Sequence, residues 1–232
     1  MADPTDIEQL ADDIATVRKR TAELHAKLPQ IVDVAEIGVW SKAPYKALVI
    51  RGALAWRTEE MARNACDALE REDRAVGITL ARSIIENTAL LWRLRKMLEG
   101  RAIQKPDTLN DMLMPMLLGF KSEANFPQAV NVLSLIDRLD KEIPGVRRAY
   151  DSFSEAAHPN YGGVSGLYTY TNHKEYRTVF GRDVRPSPIA NSAAHITAAS
   201  LALFNHAFNE IEKLMPIWLA ELSPLSGPRD PE

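Results

Sequence analysis

Along the first thirty positions Ile7, Leu10, Ile14, Val17, Thr21, Leu24 and Leu28 step by three and four residues throughout. That spacing predicts an amphipathic helix with a narrow, coiled-coil-like seam, suited to packing on one or two helices of this chain or of a partner. Thr5 and Glu8 form a Thr-x-x-Glu capping box at its start, and Pro29 ends it. Residues 31–44 have mixed character and read as a connection. The helical period then predicts long helices over about 45–71 and 76–98, the second closed by Gly100. Shorter helices are expected at 108–118, 127–139 and 144–157, the last with Pro144 in its first turn.

Between residues 162 and 182 the pattern changes to Gly, Tyr, Thr and Val, with GLYTY and YRTVF flanking the loop TNHKE. This predicts a small β-hairpin or ordered loop. From Pro188 to Leu222 the helical period returns, apolar on nearly every side, which places that helix at the centre of a bundle. Pro216 is expected to kink or divide it. The expected fold is all-α: a multi-helix up-and-down bundle with a β-hairpin-like insertion near 163–182. One domain covers residues 1–222, and residues 223–232 (SPLSGPRDPE) read as a disordered tail. With no Gly-rich phosphate loop between a strand and a helix, Rossmann and P-loop chemistry is excluded.

Composition narrows this little. The 232 residues are 46% hydrophobic and 25% charged, ordinary for a globular domain. A formal charge of −3 supplies no general basic field, so contact with RNA or DNA would require a local patch. No window holds the roughly 20 apolar residues of a membrane span, and the N-terminus lacks the pattern of a signal peptide. The expected location is cytoplasmic. The single cysteine, Cys66, shares a helix face with Ala62, Ala65 and Leu69 and reads as a small buried hydrophobe.

Two places carry possible chemistry. Arg82 and Glu86 lie four apart in an otherwise apolar helix and share a face, either as an internal ion pair or as groups facing a ligand. On the helix from Pro144, Arg147, Asp151, Ser154 and His158 form one stripe beside the apolar stripe of Val146, Tyr150, Phe153 and Ala157. His158 ends that helix, where it could grip a phosphate, take part in acid–base chemistry or cap the last carbonyls. Five of the six tyrosines, Tyr150 and Tyr161 among them, fall between residues 150 and 176. They could stack bases or cover a hairpin face. Arg147, Arg148 and His158 with these tyrosines make the most site-like cluster. A Ser154–His158 nucleophile pair has no oxyanion-hole or elbow motif beside it. Di-iron bundles use two Glu-x-x-His pairs, and Glu155–His158 is the single one here. His195 and His206 lie three turns apart, too far to share an ion. No metal or cofactor is expected.

The arrangement Arg82-x-x-x-Glu86 followed by Tyr150-x-x-x-Ser154-x-x-x-His158-Pro159 resembles a group of bacterial helical-bundle proteins. These are associated with the HEPN superfamily, the higher eukaryotes and prokaryotes nucleotide-binding domains. The two segments cover about 35 residues, and the order of helices agrees over most of the chain. The resemblance implies RNA or nucleotide binding, metal-independent RNA cleavage in toxin or phage-defence systems, and homodimers with an Arg-x4-6-His motif at the interface. It also implies His158 as the functional histidine, with Arg148 its nearest preceding arginine, although nine residues intervene. The motif's own spacing occurs at Arg20–His25. The expected function is therefore RNA or nucleotide binding, with Arg82 and Glu86 orienting a site where Arg147, Arg148 and His158 contact phosphate. The alternatives are a non-enzymatic protein-interaction module, such as an antitoxin or accessory subunit, and a helical-bundle metalloenzyme. A homodimer through exposed helix faces such as the first-helix seam is the expected assembly.

Overall fold

Two helices rich in buried apolar residues set the middle of the molecule. In the computed structural model, which describes residues 4–37, 41–101, 105–182, 184 and 188–222, these are α4 (Arg74–Glu99) and α9 (Pro188–Leu222). Around them stand α1 (Pro4–His25), α3 (Ala43–Glu70), α5 (Pro106–Leu118), α6 (Val132–Glu142) and α7 (Val146–Ala157). Two single-turn helices, α2 (Val34–Ile37) and α8 (Ser165–Tyr168), and the strands β1 (Thr169–Asn172) and β2 (Arg177–Phe180) complete the described elements. The expected all-α bundle with one small antiparallel hairpin is the observed fold. No helix among the described residues is long and apolar enough to cross a membrane.

Helix α9 packs on α1, α3, α4 and α7, and α4 packs on α3, α6, α7 and α9. Phe204, Phe208 and Ile211 of α9 and Ile84, Leu91 and Leu98 of α4 are almost wholly buried. Burying each such side chain contributes about 1.5–3 kcal/mol, so this interface supplies much of the driving force for folding. On α3 the alanines Ala47, Ala55, Ala62 and Ala65 have no exposed surface, which lets helix backbones approach closely. The first-helix seam is covered from within: Ile14, Val17, Thr21 and Leu24 are buried, and α1 packs on α3 and α9. Those positions are occupied inside the chain and are not the open dimerisation face that their spacing suggested.

Element boundaries differ from expectation at identifiable residues. Helix α1 begins at Pro4, and the expected Thr5 cap concerns a side chain outside those described. Helix α6 starts at Val132, five residues later than predicted, because the Asn131 side chain caps it by accepting from the N–H groups of Leu133 and Ser134. Helix α7 starts after Pro144 and Gly145. Gly145 takes φ +103°, a left-handed conformation that favours glycine, and Asp140 Oδ1 accepts from the N–H groups of Gly145 and Arg147. Pro216 does not divide α9. Pro216 and Glu212 are both exposed, so the carbonyl that loses its intrahelical donor faces water. The predicted disorder of 223–232 lies outside the described residues.

The hairpin pairs Thr169 with Phe180 and Asn172 with Arg177. Its turn is residues 173–176 in place of the predicted 171–175, since Thr171 and Asn172 join β1 and Tyr176 precedes β2. Asn172 Oδ1 accepts from the N–H groups of Lys174 and Glu175, an Asx-type turn, and Tyr176 closes it with φ +52°. Every residue of β2 is exposed.

Candidate functional site

The α4–α7 interface holds a closed triangle of polar groups. Arg82 Nη2 lies 3.1 Å from Glu86 Oε1 and donates to the Tyr150 hydroxyl at 2.8 Å. That hydroxyl in turn donates to Glu86 Oε1 at 3.0 Å. The guanidinium carbon stands 5.0 Å from the Tyr150 ring centroid, so the ring also supports the charge. Tyr150 is buried, while the Arg82 and Glu86 side chains are 29% and 26% exposed. Of the two readings of Arg82 and Glu86, the ion pair describes their contacts, at a half-buried position. Arg82 Nε and, one turn beyond Tyr150, Ser154 Oγ are shielded from solvent and have no hydrogen-bond partner among the described residues.

Elsewhere on α7 the predicted residues separate. Arg147 is held by Asp137 at 2.5 Å and Asp151 at 2.9 Å, and hydrogen bonds to those carboxylates raise its already high pKa. It is engaged in a surface ion network. The Arg148 and His158 side chains are both exposed and have no polar partner among the described residues. Ten residues of helix separate them, roughly 15 Å along the axis, so within one chain they do not converge. His158 caps α7 through its backbone, its N–H donating to the Ser154 carbonyl at 3.1 Å.

The backbone then folds back tightly. Asn160 Oδ1 accepts from the Gly163 N–H, and a Cβ at Gly163 would collide with the carbonyl oxygens of His158 and Ala156. Tyr161 stands exposed on this turn. Beyond it, Tyr170, Tyr176 and Phe180 are exposed on the hairpin, Tyr176 by 93% and Phe180 by 76%. Basic side chains lie among them: His173 and Lys174 in the turn and Arg177 on β2, the last 3.7 Å from Glu175.

The other sequence candidates point elsewhere. Arg20 donates to the Ala198 carbonyl on α9, whereas His25 Nδ1 lies 3.3 Å from the buried Glu59 of α3. The Arg20–His25 spacing therefore does not gather the two side chains. His25, Glu59, Arg63 and Arg18 line a cleft of about 360 Å³ with Cys66. Burial pushes the Cys66 thiol up to about 11, with Arg18 opposing, so the sulfur is protonated and inert at neutral pH. His195 sits 3.2 Å from Asp13, and His206 packs on Trp92 beside Arg95. Among the described residues no three His, Cys, Asp or Glu side chains are grouped to hold a metal ion.

Sequence reasoning passed over Arg93 and Arg138. Both line two neighbouring clefts of about 300 and 330 Å³ between α4 and α6, the first also walled by α5. A signal was present: Arg93 has Ala89, Leu90, Lys96 and Met97 at its helical i±3 and i±4 positions, so its own helix offers no acid. Comparison with protein-family models, curated proteins and solved structures finds no match to this chain.

Proposed function

We propose that this chain is a helical-bundle module that binds single-stranded RNA through the segment following His158. The observation that carries the reading is one segment whose aromatic rings are exposed among basic side chains: Tyr161 on the turn, Tyr170 and Phe180 on opposite faces of the hairpin, and Tyr176 at its tip. Several large rings exposed within one short segment point to contact with a partner, here a strand able to wrap both faces of the hairpin. Rings interleaved with cations suit unpaired bases and their phosphates, and stacking is worth about 1–3 kcal/mol per base. Arg148 and His158, exposed on α7, would extend the phosphate contacts. With a net charge of −3, the chain would rely on local basic groups such as these to attract RNA. The resemblance to HEPN nucleotide-binding domains agrees with this reading.

Fluorescence anisotropy with a labelled single-stranded RNA tests it. Saturable binding that weakens with salt and falls at least ten-fold in a Tyr170→Ala/Phe180→Ala variant is expected; a flat titration, or equal affinity in the variant, rejects it. Cleavage is a separate extension. Arg148 and His158 stand too far apart to act together within a chain, so a metal-independent ribonuclease would need an arginine from a second copy. RNA cleavage without metal that is lost in His158→Ala supports that extension, and equal or absent activity in both proteins removes it.

One observation favours a non-enzymatic protein-interaction module, such as an antitoxin or defence-system accessory subunit. Val164 and Val179 are exposed in the same segment, and aliphatic side chains contribute nothing to base stacking. Under that reading the double variant loses a protein partner and RNA does not bind.

A further inference from the structure

Arg93 lies three turns beyond Arg82 on α4, roughly 16 Å along the axis, and belongs to a different environment. It and Arg138 of α6 line both clefts between these helices. Neither guanidinium has an ion pair or hydrogen bond among the described residues. Burial and the nearby charge of Arg138 both disfavour the charged form of Arg93. Acids do occur here but are committed: Glu142 to Lys96 at 3.0 Å, and Glu99 to Arg95 at 3.1 Å. Lys141, also on the second cleft, has no side-chain partner among the described residues. Two like charges facing a shared space without a counter-ion are unfavourable in the free protein, and an anion would relieve them.

The walls limit what kind of anion. The first cleft is lined by Met97, Met112, Met116, Pro115 and Val130, deformable apolar groups that accommodate varied shapes. Asn131 and Ser134 stand at the same cleft, and the Asn131 oxygen is already used in capping α6, which leaves its amide N–H groups for a ligand. A volume of about 300 Å³ is at the lower end for small-molecule sites. We propose that the clefts around Arg93 and Arg138 bind a small amphiphilic anion, with a phosphate or carboxylate head between the arginines and an apolar body against the methionines. The site is independent of the RNA reading, which rests on the turn after His158 and on the hairpin.

Isothermal titration of the full chain with octyl phosphate and with octanoate tests the proposal and tells the two heads apart. At least one should bind ten-fold tighter than both octanol and its head group alone, inorganic phosphate or acetate. Arg138→Gln, a change at an exposed position, should reduce that affinity at least ten-fold, and Arg93→Gln should do the same. In the absence of ligand Arg138→Gln should raise the thermal midpoint by about 2 °C, because a repulsion is removed. If neither anion binds more tightly than octanol, or the variants bind as well as the wild type, the site is refuted. A comparable fall in the midpoint of unliganded Arg138→Gln would show a structural role and would equally overturn it.

Discussion

The Tyr150 hydroxyl accepts from Arg82 and donates to Glu86, so it joins two charges that are already in contact. Removing it leaves the direct pair intact and deprives each charge of one hydrogen bond. Tyr150→Phe should therefore cost about 1–2 kcal/mol in urea unfolding with an unchanged m-value, since charged partners make such bonds stronger than the average. A loss below about 0.3 kcal/mol would mean that water replaces the hydroxyl. Arg82 and Glu86 could be read as partners from their four-residue spacing, which is local information. Tyr150 as their third member could not, because the contact spans 64 residues and depends on α7 docking against α4. The same limit hid Arg93 and Arg138. A missing acid partner along one helix is visible in the sequence, whereas a second arginine facing it from another helix is not.

At the level of elements, helix periods were read well and helix ends less so. The helices around 45–71, 76–98 and 188–222 carry long apolar stripes, and burial of those stripes decides their extent. Proline misled at shorter elements: Pro127 and Pro144 both precede helices, yet Asn131 and Asp140 supply the capping that fixes where α6 and α7 begin. The run GLYTY divides between α8 and β1 because its first residues make helical hydrogen bonds back to the turn, as Tyr168 N–H does to the Val164 carbonyl. That turn depends on Gly163, whose α-carbon lies against the carbonyls of His158 and Ala156. Backbone cannot move aside as a flexible side chain can. Gly163→Ala should then destabilise the protein by about 1–3 kcal/mol, in the range of overpacking. It should also speed amide exchange at residues 158–168 beyond the change in the bundle core. Uniform acceleration throughout, or none, would show that the turn is not the point of strain.

Over the whole molecule, stability and the proposed binding function reside in different parts. The apolar core is built by α1, α3, α4, α5, α6, α7 and α9 with Leu167 of α8, and β2 contributes none of its buried residues. A two-stranded hairpin exposed on this scale is marginal by itself. It is tied to its surroundings by the Thr169 hydroxyl to the Ser165 carbonyl, the Gly181 N–H to the Tyr168 carbonyl, and the Arg182 contacts with Asp73 and the Arg71 carbonyl. Thr169 and Phe180 are cross-strand partners, so a short link can join them without moving the bundle. Replacing residues 170–179 by Asn-Gly should leave the thermal midpoint within about 3 °C of the wild type, because surface segments away from the core contribute little. RNA binding should fall by at least ten-fold in the same variant. If the midpoint drops by about 10 °C or more, the hairpin is part of the scaffold and its exposed rings need a structural explanation. If both properties survive, the hairpin is dispensable and the RNA reading fails with the protein still folded.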